Sequence, residues 1–178
     1  MSKRNDFIWK GIQTVCWLIF AGYCIQTGAL LFNYIYSLFK PIATNNLHLG
    51  LNLSALYSKS QTLYTLVFTV IIAVSALKAY ILAVALQFFK KLNLEKPFSL
   101  NVAGIISKIT TYTFTVGVIS LLAQELFEKL IARGFDVGLA IRYCHDGSAY
   151  LVMSAIVFVI ALIFRRGIEL QNENELTV

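Results

Sequence analysis

Charged side chains are scarce in this 178-residue chain: Asp, Glu, Lys and Arg make up 13% of it, about half of what a soluble domain carries. With hydrophobic residues at 58%, one small aqueous core could not bury the apolar surface. Proline occurs only twice, at Pro41 and Pro97, so long helices meet few breaks. The three cysteines, Cys16, Cys24 and Cys144, contain no C-x-x-C, which excludes a redox motif or disulfide framework. Histidine is nearly absent too. His48 and His145 stand alone; His145-Asp146 offers two ligands and no evident third, so no metal site is expected. There is no H-E-x-x-H, no Ser-His-Asp spacing and no glycine-rich phosphate loop, so the chain reads as a non-enzyme without a cofactor.

What the chain does have is four long uncharged runs. Nothing between Lys10 and Lys40 is charged; from Leu63 to Phe89 only Lys78 intervenes; Ile109–Ala123 and Ser148–Phe164 are uncharged. A hydrocarbon core ~30 Å thick needs ~20 helical residues, and lipid forces each span to satisfy its own backbone. The expectation is an all-α integral membrane protein, a four-helix transmembrane bundle over about 11–39, 62–90, 101–131 and 148–166, with a tail at 167–178. Lys3 and Arg4 before an apolar run also suit a signal peptide, but the run is far longer than an h-region, so a retained helix is favoured.

The net charge of +6 raises nucleic acid as a partner. The bases gather at helix ends and form no stripe, which argues against direct contact with it. Their distribution instead follows the positive-inside rule. Lys3, Arg4, Lys10, Lys90, Lys91, Lys96, Lys108, Arg165 and Arg166 fall on one side, and Lys40, Lys59, Lys129, Arg133 and Arg142 on the other. Both termini and the middle loop are expected in the cytoplasm, with two loops outside.

In the first outer loop Leu47, Leu49, Leu51 and Leu53 alternate with small or polar residues; in the second Val137, Leu139, Ile141 and Tyr143 do the same. Period two fits short strands, so a small two-stranded cap over about 47–53 and 137–143 competes with irregular loops lying on the bundle. Ser75, Ala79 and Ala83 form a small-xxx-small ridge for close helix packing. Ser99 is the expected N-cap of the third helix, since Pro97 bars an earlier start.

Lys78 is the sharpest single feature, because an ionisable residue within a span is functional by default and needs a partner. Its Cα lies about 16 Å above the cytoplasmic boundary at helical rise. Glu125 lies at about 25 Å and Gln26 at about 21 Å on the same measure. Lys78, Gln26 and Glu125 are therefore expected to meet as an intramembrane polar cluster, with Asn33 one heptad beyond Gln26. Three readings stay open: a structural ion pair, a charge on a ligand or ion pathway, and snorkelling of the ammonium to headgroups. On the cytoplasmic face Pro97, Phe98, Arg165, Arg166, Glu169 and Leu170 form a candidate docking surface.

The final FRRGIELQNENELTV, Phe164 to Val178, resembles the closing signature of a bacterial family of four-span membrane proteins, domain-of-unknown-function family 2975. KPFSLN, Lys96 to Asn101, is similar to that family's turn before its third helix. The resemblance implies a bacterial inner-membrane protein whose relatives are often encoded beside small helix-turn-helix regulators; it brings no catalytic residues. Two functions are expected to compete: a non-enzymatic regulatory or envelope-response partner of a cytoplasmic regulator, and a small transporter, channel or immunity-type protein built around Lys78.

Overall fold

The computed structural model describes residues 3–92 and 98–175; Pro97, Leu176 and the ends of both sequence signatures lie outside them. Among the described residues five α-helices follow one another: α1 (Lys3–Phe39), the short α2 (Ser54–Lys59), α3 (Gln61–Lys91), α4 (Leu100–Ala132) and α5 (Gly147–Glu175). α1, α3, α4 and α5 are each long and apolar enough to cross a membrane. The boundaries follow local chemistry. The Ser60 hydroxyl accepts the Leu63 N–H and opens α3, and the Ser99 hydroxyl accepts the Val102 N–H and opens α4, the N-caps that satisfy otherwise orphaned amides. Pro41 starts a 3-10 turn, Pro41–Asn45, just past α1. α5 continues through Glu175, so most of the expected tail is helix.

The long helices run antiparallel and pack in sequence order, α1 on α3, α3 on α4, α4 on α5. One end of the molecule carries the N-terminus of α1, the C-terminus of α3 and the α4 start. There Trp9 stacks edge-on with Phe89 at 5.0 Å and the Lys90 ammonium lies 5.9 Å from the Trp17 ring. This is the terminus end; the opposite loop end carries the two long connections. At the small-residue ridge the Ser75 hydroxyl meets that of Thr27 on α1 at 2.8 Å, a cross-helix bond made possible by close backbones.

The core lies towards the loop end, where Leu47, Leu51, Leu53 and Leu56 pack with Tyr64, Phe68, Val116 and Phe127. The outer face of α1 is the reverse: Leu18, Ile25, Phe32 and Phe39 are all exposed. Apolar exposure of this extent fits hydrocarbon as the surrounding solvent.

The loops correct the strand expectation: among the described residues there is no strand. The period-two leucines fold back through a 3-10 turn, His48–Gly50, where Leu49 has φ +58° and Gly50 φ +76°. Leu47 N–H then reaches Leu51 C=O at 2.8 Å. The reversal sends Leu47, Leu51 and Leu53 inward and leaves Leu49 outside. In the second loop, Gly138–Tyr143 is also a 3-10 turn. Val137 just before it and Ala140 and Tyr143 within it are buried, a spacing of three that matches 3.0 residues per turn. Burial at every third position, rather than alternation, sinks this loop among the helices.

Two hydroxyls in α4 stand out. Thr113 and Ser120 are fully buried, and their side-chain oxygens have no hydrogen-bond partner among the described residues. An unsatisfied buried hydroxyl is a cost that an apolar isostere removes. Thr113→Val is expected to leave thermal stability in micelles unchanged or raise it by up to about 1 kcal/mol; a clear loss would reveal an unseen partner.

Candidate functional site

Lys78 sits on the buried face of α3 between Ser75 and Ala79, and its side chain is 5% exposed. Its stem leans towards the helix N-terminus, as helical side chains do, and delivers the ammonium to the start of α5. Nζ donates to both carboxylate oxygens of Asp146 at 2.8 Å and to the Tyr143 carbonyl at 3.0 Å. The Tyr150 ring lies 5.3 Å away, within cation–π range. An ammonium has three N–H donors, and three acceptors meet them.

The sequence builds the other half of the pair locally. Asp146 immediately precedes α5, and its carbonyl accepts the Tyr150 N–H at 3.1 Å. Its carboxylate therefore lies beside the positive end of the α5 dipole as well as Lys78. The residues before it are fixed from two sides. Gln124 on α4 donates to the Cys144 carbonyl, and the Tyr143 hydroxyl donates to the His48 carbonyl at 3.4 Å. α4 and α5 approach closely beneath: a Cβ on Gly147 would lie 3.0 Å from that of Ser120, and one on Gly117 would lie 2.7 Å from Leu151 Cδ2. Beside the pair is a cavity of about 100 Å³ lined by Gln26, His48, Arg142 and Tyr143, among others.

The expected cluster is thus rearranged. Lys78 is buried and paired, but with Asp146 in place of Glu125. Glu125 is exposed and accepts from Lys129 at 2.7 Å. The reason is the helix face: Val116, Ser120, Ala123, Phe127 and Leu130 form the buried stripe of α4, and Glu125, two residues from both Ala123 and Phe127, points away from it. Gln26 is half-buried on the cavity and shares it with Tyr143. Asn33 spends its amide on the Ala29 carbonyl of its own helix at 2.7 Å and does not join. Asp146, missed as the partner, left one signal in sequence: it is the acid next to the start of the fourth uncharged run.

At the terminus end Phe98 packs on Phe164 at a ring separation of 5.4 Å. It also covers Gly167, where an added Cβ would meet its ring at 2.5 Å. Arg166 donates to Glu169 at 2.7 Å, both exposed, and Leu170 and Arg165 are exposed on neighbouring faces. Pro97 lies outside the described residues. Those residues contain no group of three or more His, Cys, Asp or Glu arranged to hold a metal; His145 Nδ1 faces the Arg142 carbonyl at 2.8 Å.

Searches among curated proteins and among solved structures give no match. The family model described as Protein of unknown function (DUF2975) matches residues 48–178. That stretch includes Lys78, Tyr143, Asp146 and Tyr150; the chain, with four membrane-capable helices, is an integral membrane protein that belongs to this family.

Proposed function

We propose that the protein is a non-enzymatic regulatory partner in the bacterial cytoplasmic membrane, with its terminus end in the cytosol. Lys10, Lys90, Lys91, Lys108, Arg165 and Arg166 at that end support the orientation through the positive-inside rule. The observation that carries the functional reading is the place of the Lys78–Asp146 pair. It ties the buried loop and the first turn of α5 to α3, and the same α5 runs unbroken to the terminus end. A change at the loop end that loosens the pair would move a rod whose far end presents Arg166 and Leu170. The partner there is a cytosolic protein, and a small helix-turn-helix regulator is the one the family resemblance favours.

The pair's own chemistry supports a holding role over catalysis. All three Lys78 donors are committed to protein acceptors, so none is free for a substrate. The neighbouring cavity of about 100 Å³ has room for a few waters and falls well short of the ~300 Å³ at which ligand pockets begin, which weighs against the transporter reading.

Affinity capture of the full chain and of a chain lacking residues 167–178 tests this. A cytosolic protein retained by the first and lost from the second is expected, with retention altered by Asp146→Asn. Equal capture by both chains would overturn the proposal.

A further inference from the structure

The α4–α5 pair carries a second feature, independent of the ion pair. On its outward side, at the terminus end, lies a groove of about 750 Å³ whose walls include Gly104, Ser107 and Lys108 from α4 and Arg165 and Ile168 from α5. A second groove of about 550 Å³ shares Ser107 and Thr111 with it and extends deeper into the span along Phe114, Leu151 and Phe158. The two are therefore continuous, polar and basic at one end and apolar at the other. On α5 the lining residues Leu151, Ala155, Phe158, Arg165 and Ile168 fall on one helical face.

The dimensions match one leaflet. From Arg165 to Phe158 is about 10 Å and to Leu151 about 21 Å at helical rise, against ~15 Å for half of a ~30 Å hydrocarbon core. The basic end thus lies at headgroup level, and the apolar end reaches the acyl region. Lys108 and Arg165 are exposed and form no ion pair among the described residues. Glu169, the acid in the wall, is already held by Arg166 at 2.7 Å. The groove offers net positive charge and the Ser107 hydroxyl where a lipid phosphate would sit, the Thr111 hydroxyl being donated to the Ser107 carbonyl at 3.1 Å. Basic pockets between membrane helices recognise anionic headgroups by this chemistry.

We propose that this groove binds one anionic phospholipid, its phosphate between Lys108 and Arg165 and an acyl chain along Phe114, Leu151 and Phe158. The site uses the Arg165 face of α5, and the Arg166–Leu170 face remains open to a protein.

Native mass spectrometry of the delipidated full chain, titrated with phosphatidylglycerol or phosphatidylcholine, tests it. Wild type is expected to retain the anionic lipid at least tenfold better. Lys108→Gln with Arg165→Gln is expected to abolish that preference, and Lys59→Gln with Arg133→Gln, at the loop end, to preserve it. Gly104→Trp gives a second line, since nothing lies within 4 Å of a Cβ there; the indole would fill the groove and lower binding of the intact lipid. Equal loss of preference in both charge pairs would reduce the effect to general attraction and overturn the site. Binding of glycerol phosphate as tight as that of the lipid would overturn the lipid as occupant, as would cross-linking of two copies through Gly104→Cys.

Discussion

Asp146→Ala is expected to destabilise the protein by about 3 kcal/mol, the lower end of the cost of stripping one partner from a buried ion pair. Asp146 retains 26% exposure and Lys78 only 5%, which is why the lower end applies and why the two deletions differ. Without Asp146 the Lys78 ammonium keeps the Tyr143 carbonyl and the Tyr150 ring but loses two charge-assisted bonds on a side chain that is itself buried. Without Lys78, in Lys78→Met, the Asp146 carboxylate still has water and the amide end of α5 nearby, so the loss should be about 1–2 kcal/mol. Met fills most of the vacated volume. The double replacement Lys78→Met with Asp146→Leu is expected to recover much of the Asp146→Ala loss, since apolar pairs often equal buried ion pairs in stability. Reversible unfolding in mixed micelles of wild type, Lys78→Met, Asp146→Ala and Lys78→Met with Asp146→Ala gives the coupling energy directly. A coupling below about 0.5 kcal/mol, the additive limit, would mean that Lys78 snorkels and the pair holds nothing.

This cycle separates the readings that the sequence left open, and it shows where legibility stopped. The spans are written in the charge gaps, because a bilayer penalises every interruption alike. The start of α4 is written in Ser99, because capping is local. Lys78 as a buried charge needing a partner was equally visible. The partner was not, because depth along a helix fixes only one coordinate. Glu125 had the right depth and the wrong face, a fault that the stripe Val116–Ser120–Ala123–Phe127–Leu130 could have exposed. Asp146 looked like part of a solvated loop, and nothing local says that residues 137–144 descend into the bundle. Their alternating pattern is ambiguous: Val137, Ala140 and Tyr143 are also spaced by three, and only packing against α3 and α4 selects the 3-10 turn over the strand. Both loops end up lying on the core, as the alternative to a strand cap had it.

Gly117→Leu is expected to cost about 3 kcal/mol, the upper part of the usual range for overpacking, and to do so through α5. A Cβ at residue 117 would lie 2.7 Å from Leu151 Cδ2, 2.8 Å from its Cγ and 3.0 Å from its backbone N. The side chain can swing aside; the backbone nitrogen moves only if α5 moves. Leu151→Ala should therefore rescue part of the loss and not all of it. Gly104→Leu, on the same helix with no atom within 4 Å of its added Cβ, is the control, and its better helix propensity should leave stability unchanged or slightly higher. The consequence reaches the ion pair. Gly117 contacts α5 at Leu151, one turn beyond Asp146, and Gly147 rests on Ser120 in the next turn of α4. Pushing the helices apart there should carry Asp146 away from Lys78, which bridges α3 to the start of α5. The Lys78–Asp146 coupling energy, measured again in the Gly117→Leu background, should fall towards zero. An undiminished coupling would show that α5 tilts without leaving α3, and that the pair and the glycine contact stabilise the helix independently.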